Sequence, residues 1–305
     1  MIPRLRKILI AVASYYTMTR AQIQYVTGDT NDRVMRKHLL HLVQQGFLNK
    51  TGMQVVNPGD GAPAPVYFLS RKGAEFLAAE VDDKYLHACT LTPNWQHLHH
   101  WTTVGQFHAV LDKAIAQQGE AMIGGWLGEW DVANPDEKAP EKRFRLFTLL
   151  KEKPHRLVCN PDAAFLLCVR TFAKVYYLEV DRETSGIQQI AASKTPGFAE
   201  MAKVKGHVKH FASNMDTFGV LSISPTPGRR DLLRKAIAGK DGFELWKFCA
   251  WTEFTPEKAL FEAIWYPCNG EPAPLIRRTQ TVTVLDIAGS GVGSAMGPPR
   301  TAGRF

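Results

Sequence analysis

Apolar residues recur with helical spacing at the start of the chain: Leu5, Ile8, Leu9 and Val12 share one side of a helix over Arg4–Tyr15. Thr19 with Gln22 three residues later reads as a capping box opening a short second helix that runs to Val26. Gly28-Asp29-Thr30 turns the chain into a third helix, with Val34, Leu39, Leu42 and Val43 inward and Gly46 suited to a left-handed cap. Strand-like runs follow. Phe47–Leu48 and Val55–Val56 read as strands, and Val66–Leu69 returns after a Pro/Gly loop. Three helices and a two-stranded wing predict a winged helix-turn-helix domain over residues 1–85.

Val81–Pro93 is a polar connector. A long helix from Asn94 or Trp95 to Gln118 carries the apolar stripe Trp101, Val104, Phe107, Val110 and Leu111. Ala121–Trp130 reads as a strand with Glu129 near its end, and Asp131–Arg145 as a charged loop or hairpin tip. Ala163–Val169 and Val175–Val180 have strand length and composition. Polar Ser185–Pro196 then leads to a helix near Phe198–Ser213, followed by a strand at Phe218–Ile223. The next helix holds Arg229, Arg230, Arg234 and Lys235, and Phe243–Ala250 is a further strand. This order predicts an α/β (α+β) sandwich around a mixed sheet over residues 94–270. The core pattern fades after Pro267, so 271–305 reads as a flexible tail, and its Gly289-Ser-Gly-Val-Gly lacks the following helix a phosphate loop needs.

The two strands in the middle of the sandwich carry the chemistry. Asn160-Pro161-Asp162 precedes the first, and Glu179 and Asp181 end the second, two apart and so on one face of an extended chain. Carboxylates gathered in a sheet repel each other and are costly to desolvate. A hard divalent cation held by oxygen ligands, Mg²⁺ or Mn²⁺, is the usual compensation. The competing interpretation is a turn cap at Asp162 and a surface ion pair at the strand end. His97, His99, His100 and His108 gather on the long helix, but no supporting zinc ligands stand at suitable positions. His97 and His100 are read as surface or DNA-contacting groups.

Net charge of +8 and a pI near 9.2 favour an anionic partner. Residues 1–80 alone carry net +5. Asn31, Arg33, Arg36, Lys37 and His38 lie in the N-terminal half of the third helix, the part that a helix-turn-helix presents to the major groove of double-stranded DNA. Arg71 and Lys72 follow the wing and suit backbone phosphates. The same charges on a merely solvated helix face are the alternative. The five cysteines show no CxxC spacing and read as reduced thiols of a cytoplasmic protein, with no signal peptide and no run of transmembrane length.

The winged helix, the His-x-x-His of His97 and His100, Pro161-Asp162-Ala163 and Leu178-Glu179-Val180-Asp181-Arg182-x-Thr184 together resemble the plasmid replication-relaxation family. Trp251-Thr-Glu-Phe-Thr and Ile264-Trp-Tyr-Pro fit the same pattern, and the resemblance spans about residues 5–270. It implies a domain similar to the PD-(D/E)xK restriction-endonuclease-like superfamily and to relaxases of mobilisable plasmids. Carried over, Asp162 is the acid of the PD half-motif and Glu179 the next acid, while Asp181 stands where the superfamily has its lysine. Lys203 or Lys205 from the next helix is the candidate to take the lysine's role, and Glu129 is a further carboxylate. The implied function is metal-dependent nicking of origin DNA, with a homodimer and replication or conjugation proteins as further partners. Tyr176 and Tyr177 are potential nucleophiles but more simply strand residues. A DNA-binding initiator or regulator with an inactive nuclease-like domain is the alternative, favoured by the missing lysine. A regulator acting through protein contacts alone is a third class, and lacks salt-dependent DNA affinity.

Overall fold

The computed structural model describes residues 1–55, 62–81, 93–94 and 96–277. Helix α1 (Pro3–Tyr15) buries Leu5, Ile8, Leu9 and Val12, the stripe marked by the periodicity. After the two-residue strand β1 (Met18–Thr19), Thr19 caps α2 (Arg20–Thr27) with both bonds of the capping box, and Gly28 closes it at φ +72°. Helix α3 (Asp32–Gln44) buries Met35, Leu39 and Leu42, while Val34 and Val43 are half-buried. Gly46 takes φ +71° after it, where a Cβ would be strained. Strands β2 (Leu48–Thr51) and β3 (Val66–Leu69) pair antiparallel, and β1 adds to the other edge of β3. Val55 therefore lies outside the strands, and Val56 lies outside the described residues.

The return strand does not lead straight into the connector. Ser70 caps a fourth helix, α4 (Arg71–Glu80), which packs so close to the preceding loop that a Cβ on Gly73 would sit 2.2 Å from the Phe47 carbonyl oxygen. Arg71 and Lys72 thus occupy the first turn of a helix, and the basic stretch expected beside the wing is ordered in another way.

Helix α5 (Leu98–Gln118) buries its predicted stripe against the larger sheet and leads to β4 (Met122–Gly128). A short helix α6 (Pro140–Arg143) interrupts the charged loop. A hairpin of β5 (Thr148–Lys151) and β6 (Leu157–Cys159), which the sequence pattern did not reveal, precedes β7 (Ala163–Val169) and β8 (Phe172–Val180). Helix α7 (Ile187–Lys203), β9 (Gly219–Ser224), α8 (Pro227–Ile237), β10 (Trp246–Ala250) and β11 (Tyr266–Pro267) complete the described chain. The sheet order is β11-β10-β9-β8-β7-β4; β8, β9 and β10 run parallel and the other neighbours antiparallel.

Alternation along the strands divides the core. Phe165, Tyr176, Leu178, Leu221 and Cys249 pack against α5, and Ala164, Val175, Tyr177, Val220 and Trp246 against α7 and α8. This is an α/β fold with helices on both faces of a mixed sheet. Leu275 and Ile276 are buried in the α5-side core, and Ile276 N–H donates to the Leu260 carbonyl, so packing continues past residue 270. The tail expected from Gly289 to Phe305, with Arg278, Arg300 and Arg304, lies outside the described residues.

One helix differs from the reading of the sequence in a way that matters for the site. Pro196 suggested a break, but α7 runs through it from Ile187 to Lys203. Proline removes one ladder bond and crowds the preceding turn. Burial of Ala191, Thr195, Phe198 and Met201 on both sides of it holds the helix together. Lys203 is consequently in the last turn, Lys205 lies beyond the helix at φ 50°, and residues 206–209 form a separate 3₁₀ turn.

Helix α7 approaches the β6 segment closely enough that a Cβ on Gly197 would lie 2.5 Å from the Val158 carbonyl oxygen. Backbone cannot yield there as a flexible side chain would. Gly197→Ala is therefore expected to destabilise the protein by about 1–3 kcal/mol in urea unfolding. Gly52→Ala, at a position with open space and outside any helix, is the control and stays within about 0.5 kcal/mol. Equal effects at the two glycines would refute this account of helix seating.

Candidate active site

Asp162 is fixed by the backbone of β8 and of the turn after β4. Its N–H donates to the Leu178 carbonyl at 3.1 Å, its carbonyl accepts from Glu129 N–H at 3.0 Å, and its Oδ2 accepts from Val180 N–H at 2.6 Å. These bonds place Asp162 beside the end of β8 and draw the β4 end toward both. Glu129 sits in the turn after β4, where Gly128 leaves room for the Trp130 ring and Gly128 N–H donates to Asp131 Oδ2 at 2.7 Å. Trp101 Nε1–H donates to Glu129 Oε1.

Two cations arrive from opposite faces of the sheet. His100, in the first turn of α5, sets Nε2 3.2 Å from Asp162 Oδ1 and 3.8 Å from Glu129 Oε1. Lys194, in the middle of α7, sets Nζ 2.7 Å from Glu179 Oε2 and 3.8 Å from Asp162 Oδ1, and donates to the Asn160 carbonyl at 3.0 Å. One ligand atom from each of His100, Glu129 and Asp162 fits within 4.8 Å of the others, a spacing a single metal ion can span. The cluster opens on a cavity of about 280 Å³ lined in part by His100, Asp162, Glu179, Asp181, Arg182 and Lys194.

His100, read from the sequence as a surface or DNA-contacting group, is drawn into the carboxylate cluster instead, and Lys194 was not singled out at all. The helical His-x-x-His gave a signal for His100, but the strand turn that brings Glu129 opposite it left none. His97 instead stacks on Trp101, with ring centroids 5.4 Å apart. Lys194 stood in a segment read as a polar connector, and only a helix through Pro196 aims it at Glu179.

The other candidates lie elsewhere. Asp181 lines the cavity, but both its oxygens are taken by Arg229, at 2.6 and 3.1 Å, and Oδ1 also accepts from Glu183 N–H. Asp181 and Glu179 share a face, yet Asp181 is bound to α8 while Glu179 is bound to α7. Lys203 pairs with Asp241 at 3.5 Å and Lys205 with Asp216 at 2.9 Å, so neither is brought to the cluster. Tyr177 is fully buried and hydrogen-bonded to His210 Nδ1 at 2.7 Å, and Tyr176 is buried in the α5-side core.

On α3, Arg33, Arg36 and Lys37 are exposed on the side away from Met35, Leu39 and Leu42. Arg36 pairs with Asp32 at 2.7 Å. Asn31 is the N-cap, its side chain accepting from Val34 N–H. Arg71 pairs with Glu75 at 2.9 Å, and Lys72 donates to the Gln45 carbonyl at 2.8 Å.

Electrostatics follow from burial of three carboxylates with two cations. Burial pushes Asp162 upward, but His100, Lys194 and the Val180 N–H outweigh it and hold the carboxyl near 2. Burial disfavours charge on His100 too, yet Asp162 and Glu129 raise the imidazole to about 9. Glu179 rises to about 8, from burial and the adjacent Asp162 charge, with Lys194 opposing. Lys194 itself is held protonated: Glu179 and Asp162 overcome the desolvation cost.

Both His100 and Glu179 bind their protons more tightly in the folded than in the unfolded chain. The His100 contribution is complete below its ordinary value near 6.5 and disappears as pH rises through about 9; Glu179 acts in the same direction between about 4.5 and 8. Metal-free protein is thus expected to lose stability from pH 6.5 to 9, on the order of 2–3 kcal/mol from His100. Thermal unfolding across that range, compared with His100→Gln, checks this. A His100→Gln slope as steep as wild type would remove His100 as the source.

No curated protein and no solved structure matches the chain. A family model described as replication-relaxation matches residues 9–214, from the first helix through α7 and the 3₁₀ turn after it. With two thirds of the sequence inside that match, including His100, Glu129, Asp162, Glu179 and Lys194, the chain belongs to the replication-relaxation family.

Proposed function

We propose that this protein binds double-stranded plasmid or mobile-element origin DNA and nicks one strand by metal-dependent phosphodiester cleavage. The observation that supports this most is the meeting of His100, Glu129 and Asp162 within one ion's reach, beside the Glu179–Lys194 pair and at an open cavity. Membership of a replication-relaxation family supports reading that centre as one that acts on DNA. The first part of the chain is read as a winged helix, with α3 as the element that enters the major groove.

The donor set suits a divalent ion. Two carboxylates and an imidazole nitrogen favour Mn²⁺ over Mg²⁺, which prefers oxygen and water. Such an ion supplies Lewis acidity to the scissile phosphate. His100 must be neutral to ligate, so metal and proton compete for it, and affinity rises as pH approaches 9.

The protein's own groups divide the remaining work. Glu179, with its pKa raised to about 8, becomes able to accept a proton from an attacking water as pH rises through that value. Lys194 steadies that carboxylate and offsets charge building on the phosphate oxygens. Water attacks phosphorus and passes its proton to Glu179, the bond to the leaving deoxyribose oxygen breaks, and that oxygen is protonated by solvent in the open cavity. Lys194 thereby fills the role first looked for in Lys203 or Lys205, and Asp181 serves to lock α8 against the end of β8.

Arg33 and Lys37 are the α3 cations without an ion pair among the described residues. Arg33→Ala with Lys37→Ala is expected to weaken origin binding and to lower the salt dependence by about two counterions. An unchanged salt slope would argue for docking through another surface.

Cleavage is tested with supercoiled origin plasmid and Mn²⁺ or Mg²⁺. Asp162→Ala, His100→Ala and Lys194→Ala are each expected to cut rate by at least about 10²-fold, and Lys203→Ala and Lys205→Ala to leave it near wild type. If wild type binds the DNA without cutting it under any of these conditions, the enzymatic reading gives way to a non-enzymatic initiator.

A further inference from the structure

The run that ends β8 continues past Asp181 into residues that the cleavage chemistry leaves unused. Asp181 opens a short loop through Ser185, and that loop is pinned at both ends. Asp181 N–H donates to the Ile223 carbonyl at 2.9 Å, and its Oδ1 accepts from Glu183 N–H at 3.0 Å. Arg229, in the first turn of α8, donates to both Asp181 oxygens and, at 2.6 Å, to the Ser185 carbonyl. One guanidinium thus ties the start of the loop to its end. Glu183 between them holds φ 61°, a left-handed conformation uncommon outside glycine. A loop held this way has its shape set before any ligand arrives.

What the loop presents is a set of donors. Arg182, Thr184 and Ser185 line the same cavity as Asp162, Glu179 and Lys194. Thr184 and Ser185 are exposed, and each hydroxyl can donate to an oxyanion. Arg182 is half-buried and forms no ion pair among the described residues, whereas Lys194 is bound to Glu179 and Arg229 to Asp181. Burial lowers the Arg182 pKa from its ordinary value, with no carboxylate opposing. A guanidinium keeps its charge in proteins, so its desolvation without a counter-ion is a cost that an anion relieves. Its planar fork suits phosphate.

Two anion positions therefore share one cavity. The scissile phosphate belongs at the carboxylate cluster, with Lys194 beside it. Arg182 pairs with none of those carboxylates, so the anion it receives is a different one. In a nucleic-acid strand the nearest further anion is the phosphate of an adjoining linkage. We propose that Arg182, with the Thr184 and Ser185 hydroxyls, holds the backbone phosphate next to the scissile one, and that Asp181 and Arg229 are the positioning pair that sets the loop for it. Such a contact fixes the register of the strand without reading its sequence. The inference rests on the cleavage reading of that cluster and adds the second phosphate by which the strand is held there.

The test uses the full-length protein and a set of origin duplexes, each with one uncharged methylphosphonate linkage at a different position. Binding is measured without metal, by fluorescence anisotropy. Arg182→Gln has no ionic partner to lose among the described residues and is expected to fold as wild type. It is expected to bind the all-phosphate duplex about five- to tenfold more weakly, the scale of one lost charge contact, and Arg182→Lys to recover part of this. At one linkage, beside the nick, the methylphosphonate is expected to weaken wild type by the same factor and Arg182→Gln no further, the non-additivity of groups in contact. Asp181→Asn is expected to reduce the wild-type loss at that same linkage, which a purely structural role would not single out. Wild-type affinity in Arg182→Gln, additive losses at every linkage, or a coupled linkage remote from the nick would each overturn the proposal. Nicking of the all-phosphate duplex with Mn²⁺ separates the two readings. Cleavage with no coupled linkage overturns only the phosphate subsite. A coupled linkage on DNA that wild type never cuts overturns the enzymatic assignment and keeps Arg182 as a backbone contact. Absence of any wild-type affinity for the duplex overturns both.

Discussion

The fold is organised around a charge problem at one end of its sheet. Asp162, Glu129 and Glu179 converge where backbone pairing leaves them little freedom, and no single helix can neutralise all three. The two cations come from opposite layers: His100 from α5 on one face and Lys194 from α7 on the other. Removing either would leave buried carboxylates uncompensated, a loss of several kcal/mol in comparable settings. Docking of both helices, and with them the packing of both cores, is therefore tied to the same few oxygen atoms.

That dependence extends into the first part of the chain. The Tyr15 hydroxyl donates to Asp112 Oδ2 at 2.6 Å, Gln22 Nε2–H to the Thr102 carbonyl at 2.9 Å, and Tyr16 stacks on Trp130 beside Trp101. Trp101 in turn bonds Glu129. Tyr16 holds φ 67°, a conformation uncommon for a bulky residue. Two indole rings pack around it. Helix α5 is thus shared: its sides receive the N-terminal helices and the sheet, and its first turn carries the histidine of the cluster. The two parts inferred from sequence meet along this helix.

How much of this was legible depended on whether the deciding interaction was local. Thr19 and Gln22 announce their own cap, Gly46 its own left-handed turn, and the stripe from Trp101 to Leu111 its own buried face. The two acidic strands were legible for the same reason, since alternation and composition act over a few residues. Pro196 misled because its local preference against helix is real and only distant burial overrides it, and that one override carried Lys194 out of view. His100 was visible as a histidine but not as a neighbour of Glu129, because their meeting is made by the bond from Glu129 N–H to the Asp162 carbonyl across two strands. The burial of Leu275 and Ile276 likewise follows from contacts remote in sequence, whereas α4, opened by its own Ser70 cap, and the β5–β6 hairpin are local features that the pattern of apolar positions did not mark.

Asp181 shows why motif position alone is a poor guide to chemistry. It stands two residues after Glu179, at a place from which a side chain of either charge can face the cavity. A lysine there would put its ammonium beside Glu179; the aspartate instead turns to Arg229 and fixes α8. The positive charge still has to be supplied, because the cluster is too deeply buried to remain anionic. Lys194 supplies it from the facing helix, at a sequence distance set by α7 geometry and not by the strand. The constraint acts on charge at a point in space, and the chain satisfies it from whichever element reaches that point.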